Sequence, residues 1–211
     1  MSTATVPARA PGSTPKLVVF IVFALLTIFV TVAKNARIFD STSEIAQHFA
    51  PVKGYLAVHA CFGMLALALG AFQFSNRLRA RYLKTHRMLG YVYVASVYIS
   101  APFAIPVALR TATLSLTAAS AVQAFGWVLT TTLALYCIRR GNIEQHRRWM
   151  IRGYPFAMVF TVARLIIPIP PILKMGMPGI EIVVWVTIAA AAILPSVFLD
   201  WGAISRRPAQ V

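Results

Sequence analysis

Long apolar stretches constrain this chain more than any other feature of its sequence. Six of them cover residues 17–33, 55–74, 88–109, 119–138, 149–170 and 180–200. A helix needs about 20 apolar residues, with a range of about 17–25, to cross the hydrocarbon core of a bilayer. No stretch alternates in polarity, as the strands of a membrane barrel would. The sequence therefore predicts an all-α polytopic membrane protein with six transmembrane helices.

The composition supports a membrane protein and bears on its partners. Hydrophobic residues make up 59% of the chain and charged residues 12%, whereas soluble domains average about 45–50% apolar and about 25% charged. The formal charge of +15 would indicate nucleic acid in a polar protein. Here the basic residues gather in the connections between apolar stretches, so we expect a lipid bilayer and no nucleic acid as the partner.

The connections divide the basic residues unequally between the two sides of the membrane. Fourteen of the 20 Lys and Arg lie in the two tails and at the turns after the second and fourth stretches, and five lie on the opposite side. The side richer in Lys and Arg is normally cytoplasmic. We therefore expect both termini in the cytoplasm and anionic lipid at that face. Residues 1–16 are interpreted as a disordered tail and residues 202–211 as a second tail.

The first stretch, residues 17–33, has two interpretations. It could be a signal peptide, because Thr31-Val32-Ala33 loosely fits a cleavage site. Its length exceeds the usual run of about 7–15 apolar residues in a signal peptide, which favours a retained anchor. We expect a single domain over residues 17–201 with its core at 55–170, and with the first and sixth helices at the periphery.

A short motif occurs twice at the predicted cytoplasmic side. It reads HR-x2-GY from His86 and HR-x5-GY from His146, 60 residues apart. Helices two and three, and helices four and five, would then form two hairpins of the same orientation. Such a parallel repeat has its axis along the membrane normal, and it would form a four-helix core with both histidines at one depth. Chance similarity of two basic turns is the alternative.

Polar residues on helical stripes predict two clusters at different depths. The inner cluster is Gln73, Arg77, His86, His146 and Tyr154. The outer cluster is His59, Gln123 and Arg164. A charged side chain inside the bilayer costs at least a few kcal/mol unless it faces the protein interior and finds partners. Extension of Arg164 to the outer interface is the alternative.

Three motifs lie in the middle of the chain: G-x-x-QF at 70–74, HR-x2-G at 86–90 and H-x2-WM-x-R at 146–152. They resemble a bacterial family of predicted membrane proteins that has no settled function. The resemblance covers about residues 55–165. It implies a helical protein of the bacterial inner membrane and supports the choice of candidate residues, but it does not imply an activity.

Histidines on facing transmembrane helices are the usual axial ligands of haem b. His86 and His146 are the candidate iron ligands, and His59 is an alternative ligand. The candidate cofactor-binding residues are His86, His146, His59, Gln73, Arg77, Arg79, Arg152 and Tyr154. The sequence thus predicts electron transfer through haem b or a quinone, together with a redox partner or membrane complex. Histidines at helix starts are also common interfacial hydrogen-bonding residues, so that interpretation stays open.

Three other functions stay open. A small transporter or proton-coupled carrier would use the repeat and an intramembrane Arg164 at the depth of His59. No acidic residue lies clearly within a predicted span, which disfavours a proton relay. A non-catalytic subunit or scaffold would dock a partner on the basic face. A membrane enzyme acting on lipid or quinone would use His146 as its acid–base group.

Overall fold

The computed structural model describes residue 29 and residues 43–205, and this part of the chain contains helices and turns but no strand. The helices are α1 Glu44–Phe49, a 3-10 turn Ala50–Val52, α2 Lys53–Gln73, α3 Asn76–Arg81, α4 Leu83–Thr111, α5 Leu114–Arg139, α6 Ile143–Ile166, α7 Pro170–Lys174 and α8 Met177–Ile204. The predicted all-α class is therefore confirmed.

Four helical segments are long and apolar enough to cross a membrane. They are Ala46–Gln73, which ends with α2, then α4, α5 and residues Met177–Gly202 of α8. They correspond to the second, third, fourth and sixth predicted spans. The first predicted span, 17–33, lies outside the described residues except for Phe29, as does the tail 1–16. Of the second predicted tail, 202–211, residues 206–211 lie outside the described residues, whereas residues 202–204 belong to α8.

The fifth predicted span, 149–170, corresponds to α6 but differs from it in two ways. Helix α6 runs for 24 residues and ends at Ile166, because Pro168 has no backbone N–H with which to continue the helical hydrogen bonds. Four arginines within α6 lower its hydropathy, and this helix is not among the four candidate spans. The count of six spans therefore stays a prediction.

The long helices pack into one bundle. Helix α2 lies against α4, α4 against α5, α5 against α6, and α6 against both α2 and α8. The buried core contains Ala66, Tyr93, Val97, Trp127, Phe156, Val159, Val184 and Ile188. The expectation that the sixth predicted helix is peripheral is wrong, because α8 contributes Val184 and Ile188 to the same core.

Large apolar side chains also cover the outside of the bundle. Phe125 on α5 is 68% exposed and Phe198 on α8 is 75% exposed, and many other aromatic and aliphatic side chains are exposed with them. Contiguous apolar surface of this extent marks contact with a membrane or a partner. Together with the four candidate spans, it indicates that lipid surrounds the bundle.

The turn between α5 and α6 fixes the position of His146. Helix α5 ends at Arg139, and Gly141 follows with a φ of 76°, a left-handed conformation that glycine adopts without steric cost. The side chain of Asn142 then caps α6 by accepting from the backbone N–H of Gln145 at 3.1 Å. This tight turn places His146 in the first turn of α6, opposite the last turns of α5.

Candidate functional site

His146 is oriented by the backbone of the neighbouring helix. Its Nδ1 lies 2.9 Å from the carbonyl oxygen of Ala134 on α5. A carbonyl can only accept a hydrogen bond, so Nδ1 carries the proton, and in the neutral ring Nε2 keeps a free lone pair. Histidines that bind metals usually have this arrangement, with one ring nitrogen held by a backbone or carboxylate oxygen.

His86 lies in the first turn of α4 and has a different environment. Its Nδ1 is buried and has no hydrogen-bond partner among the described residues, and the same holds for Nε2 of Gln73. The Gln73 amide lies against α4 one turn further on, since its Oε1 would be 3.5 Å from a Cβ built on Gly90. Each unpaired buried polar group costs about 1–3 kcal/mol. This end of the bundle therefore offers hydrogen-bonding capacity that a bound molecule or water could use.

Positive charge surrounds the two imidazoles. Arg79, His146 and Arg87 lie near enough to His86 for their charges to act on it, and His86 and His146 lie at the same end of the bundle. Partial burial is the main cause that lowers the pKa of the Arg79 guanidinium below its ordinary value, and the positive charge of Arg147 is the second cause. No group of three or more His, Cys, Asp or Glu side chains suited to a metal ion occurs in the described part of the chain. This end of the bundle thus contains two imidazoles and several guanidinium groups.

Gly70 allows two tyrosine rings to enter the helix interface beside this site. A Cβ on Gly70 would stand 2.5 Å from Cε2 of Tyr154 and 2.9 Å from Cε2 of Tyr93. The Tyr154 ring also packs edge-on against Phe74, with centroids 5.3 Å apart. These contacts give a physical role to the glycine and the phenylalanine of the G-x-x-QF motif. They connect α2 to both α4 and α6.

Two of the predicted site residues lie away from the imidazole pair. Arg77 is exposed on α3, because α2 stops at Gln73 and the Ser75 side chain caps a new helix by accepting from the N–H of Leu78. The polar stripe predicted to continue from Gln73 to Arg77 is therefore interrupted. Arg152 faces α8, where its Nε donates to Ser196 Oγ at 3.1 Å.

The predicted outer cluster is divided in the structure. His59 Nδ1 lies 3.0 Å from the carbonyl oxygen of Ser100, and Arg164 is the charged neighbour of His59. The amide of Gln123 instead donates to the carbonyl of Phe156 at 2.8 Å. Phe156 precedes Arg164 by eight residues, which is about 12 Å along a helix. The structure therefore keeps Arg164 within electrostatic range of His59 and places Gln123 deeper in the bundle.

Sequence reasoning missed a polar cluster between α6 and α8. Asp200 forms an ion pair with Arg148, and its second carboxylate oxygen lies 3.7 Å from Arg152. The Arg152 guanidinium also stacks over the ring of Trp149 at 5.1 Å. One signal was present in the sequence: Asp200 is one of only five acidic residues, and it is the last residue of the sixth apolar stretch, on the side where the arginines gather.

The long apolar helices and their lipid-facing surface define a polytopic α-helical membrane protein. Residues 56–201 match the model of the family described as Predicted membrane protein (DUF2306), which is a family of unknown function. Since the match covers more than half of the 211 residues, the chain belongs to this family. The resemblance found in its motifs is confirmed at the level of the family. No curated protein and no solved structure matches the chain.

Proposed function

We propose that this protein carries electrons within the membrane through haem b, whose iron His86 on α4 and His146 on α6 would hold. The observation that carries this proposal is the location of both imidazoles at one end of the bundle, near enough for the charge of His146 to act on His86. The hydrogen bond of His146 Nδ1 to Ala134 supports it, because that bond leaves Nε2 available to a metal. Bound haem would supply one-electron chemistry.

The residues around the two histidines have complementary roles in this proposal. Arg79, beside His86, would pair with the negatively charged propionates. The unpaired Nδ1 of His86 and Nε2 of Gln73 would gain partners from ordered water or from the ligand. Electrons would pass to a quinone or to a protein partner at this face, and a quinone bound directly at the imidazole pair is the alternative occupant. Tyr154 would act through packing, since its hydroxyl is bonded to the carbonyl of Leu67.

We further propose that α6 crosses the membrane, and that residues 17–33 do so as well. Helix α6 packs against α2, α5 and α8, each of which contains a candidate span, and its 24 residues extend for about 36 Å. The six spans would leave both termini in the cytoplasm of a bacterium, because the Lys and Arg bias of 14 to five favours that orientation. Anionic lipid at this face is part of the same proposal.

The two hairpins α2–α4 and α5–α6 are proposed to be copies of one unit. Support comes from two close contacts: Gly70 meets the ring of Tyr93, and Gly153 meets the side chain of Thr130. An offset of 60 residues relates the two contacts, since it takes Gly70 to Thr130 and Tyr93 to Gly153. The same offset relates His86 to His146. The histidines would then occupy equivalent positions in the two copies.

One observation favours a second candidate function, an anion carrier. Arg164 is partly buried beside His59, and no described residue gives it an ion pair or a hydrogen bond. A partly buried cation without a counter-charge is costly within a membrane. A transported anion would supply that charge transiently. A liposome flux assay with Arg164→Gln would test this reading, and uptake unchanged by the substitution would contradict it.

An absorption spectrum tests the haem proposal. We expect protein purified from haem-replete cells to show a Soret band, and dithionite to sharpen its visible bands. His86→Ala and His146→Ala should each lose at least half of the bound haem. His48→Ala is the control, because His48 is exposed and bonded to the carbonyl of Thr111. A folded wild-type protein with no Soret band and no extractable haem would end the proposal.

A further inference from the structure

A groove opens on the outside of the bundle between α5, α6 and α8. It has a volume of about 450 Å³ and is lined by Gly126, Leu129, Thr130, Trp149, Arg152, Phe156, Ala192 and Ser196. Leu129 is 42% exposed and Ala192 is exposed, so the groove faces the surrounding lipid. Its volume is within the range of about 300–1,000 Å³ that is typical of sites for small ligands.

The groove is apolar over most of its length. The ring of Phe156 forms the floor, and it can lie there because a Cβ on Gly126 would be only 2.7 Å from that ring. Leu129 on α5 and Ala192 on α8 form the two walls. The hydroxyl of Thr130 is turned away, since it donates to backbone carbonyls of its own helix. An aliphatic chain would fit these surfaces, whereas a soluble polar ligand would not.

One end of the groove carries a surplus of positive charge. Arg148 and Arg152 share a single carboxylate, that of Asp200, which leaves one positive charge without a counter-charge in this cluster. Arg152 is held in place by its bond to Ser196 and by its stacking on Trp149. A guanidinium fixed in this way keeps other N–H groups for a phosphate oxygen, and arginine forms strong charge-assisted bonds to phosphate.

We propose that this groove is a binding site for an anionic phospholipid. The phosphate would bind at Arg152 with Arg148 nearby, and one acyl chain would lie over Phe156 between Leu129 and Ala192. Charge complementarity selects this ligand over a zwitterionic lipid or a neutral quinone. Tryptophan commonly lies at the level of lipid headgroups, and Trp149 is at the charged end of the groove. The site is independent of the haem proposal, because it uses neither histidine.

Lipid titrations of the detergent-solubilised full chain test the site. Phosphatidylglycerol and phosphatidylcholine with identical acyl chains are added, and binding is followed by native mass spectrometry and by the midpoint of thermal unfolding. A ligand that binds only the folded state raises this midpoint. We expect phosphatidylglycerol to bind at least tenfold more tightly than phosphatidylcholine. Arg152→Gln should abolish most of this preference, and Arg140→Gln should preserve it, because Arg140 is exposed and lies over Tyr136.

A second variant tests the groove without changing any charge. Leu129→Trp adds bulk at an exposed wall and should reduce phosphatidylglycerol binding at least fivefold while the protein remains folded. Equal binding of both lipids, or full binding by Leu129→Trp, would overturn the proposal. So would phosphatidylglycerol binding that emerges only after residues 1–40 are deleted, since that segment would then be the natural occupant. Displacement of the lipid by a short-chain quinone at equal concentration would also overturn it. None of these results depends on the absorption spectrum.

Discussion

Tyr154 on α6 donates a hydrogen bond to the backbone carbonyl of Leu67 on α2, at 2.8 Å. Its ring occupies the space that a side chain at Gly70 would need. One residue thus joins the helix that carries His146 to the helix that carries Gln73. Because α2 also lies against α4, which carries His86, the contact between Gly70 and Tyr154 is part of the packing that links the two histidine-bearing helices.

Gly70→Ala should destabilise the bundle. The new Cβ would lie 2.5 Å from the Tyr154 ring and 2.9 Å from the Tyr93 ring, and overpacking of this kind typically costs about 1–3 kcal/mol. Gly54→Ala is the matched control on the same helix, because nothing lies within 4 Å of a Cβ there. The control should be neutral or slightly stabilising, since alanine favours helix over glycine. Thermal unfolding in detergent measures both variants, and equal midpoints would contradict the role given to Gly70.

The same substitution at two glutamines should have opposite effects. Gln123→Leu removes the 2.8 Å bond to the Phe156 carbonyl and should lower the free energy of unfolding by about 1 kcal/mol. Gln73→Leu removes a buried amide whose Nε2 has no partner among the described residues, so the ligand-free protein should be unchanged or more stable. Unfolding midpoints of the ligand-free variants provide the measurement. A large loss of stability in Gln73→Leu would indicate that an ordered water already satisfies the amide.

Asp200→Asn should strengthen the binding of anionic lipid with little effect on stability. The carboxylate is about half exposed, and exposed ion pairs contribute roughly 0–1 kcal/mol. Its removal adds one positive charge next to Arg148 and Arg152, which should increase phosphatidylglycerol affinity severalfold at low salt. Screening should reduce this gain at high ionic strength. Native mass spectrometry of the variant and the wild type at two salt concentrations checks the prediction, and weaker binding at both would contradict it.

Single cysteines at opposite ends of α5 should report the orientation of the bundle. Cys61 and Cys137 are free and can be replaced by alanine to give a background without thiols. In that background Leu114→Cys should react with an impermeant maleimide from outside the cell, because Leu114 is 87% exposed at one end of α5. Arg140→Cys, beyond the other end, should react only in inverted vesicles. The reverse pattern would overturn the proposed cytoplasmic location of the imidazole pair.

The structure of the candidate site could be foreseen only in part. The recurrence of HR-x2-GY and HR-x5-GY predicts two histidines at one depth, and the structure places His86 and His146 as electrostatic neighbours. The contacts of Arg152 could not be predicted, because the rotation of α6 about its axis decides whether this side chain faces the imidazoles or α8. The break of the polar stripe before Arg77 had a local signal, since Ser75 is a good cap for a new helix.

The sequence by itself determined that this chain forms apolar helices and where most of them lie. In lipid the backbone N–H and C=O groups have no water to bond to, and a long apolar segment satisfies them internally by forming a helix. Only the tertiary structure decided which polar groups meet: His59 with the Ser100 backbone, Arg152 with Ser196, and Gln123 with the Phe156 backbone. Those pairings depend on how small residues such as Gly70 let neighbouring helices approach and rotate, and close packing between helices is not encoded in any one stretch of the chain.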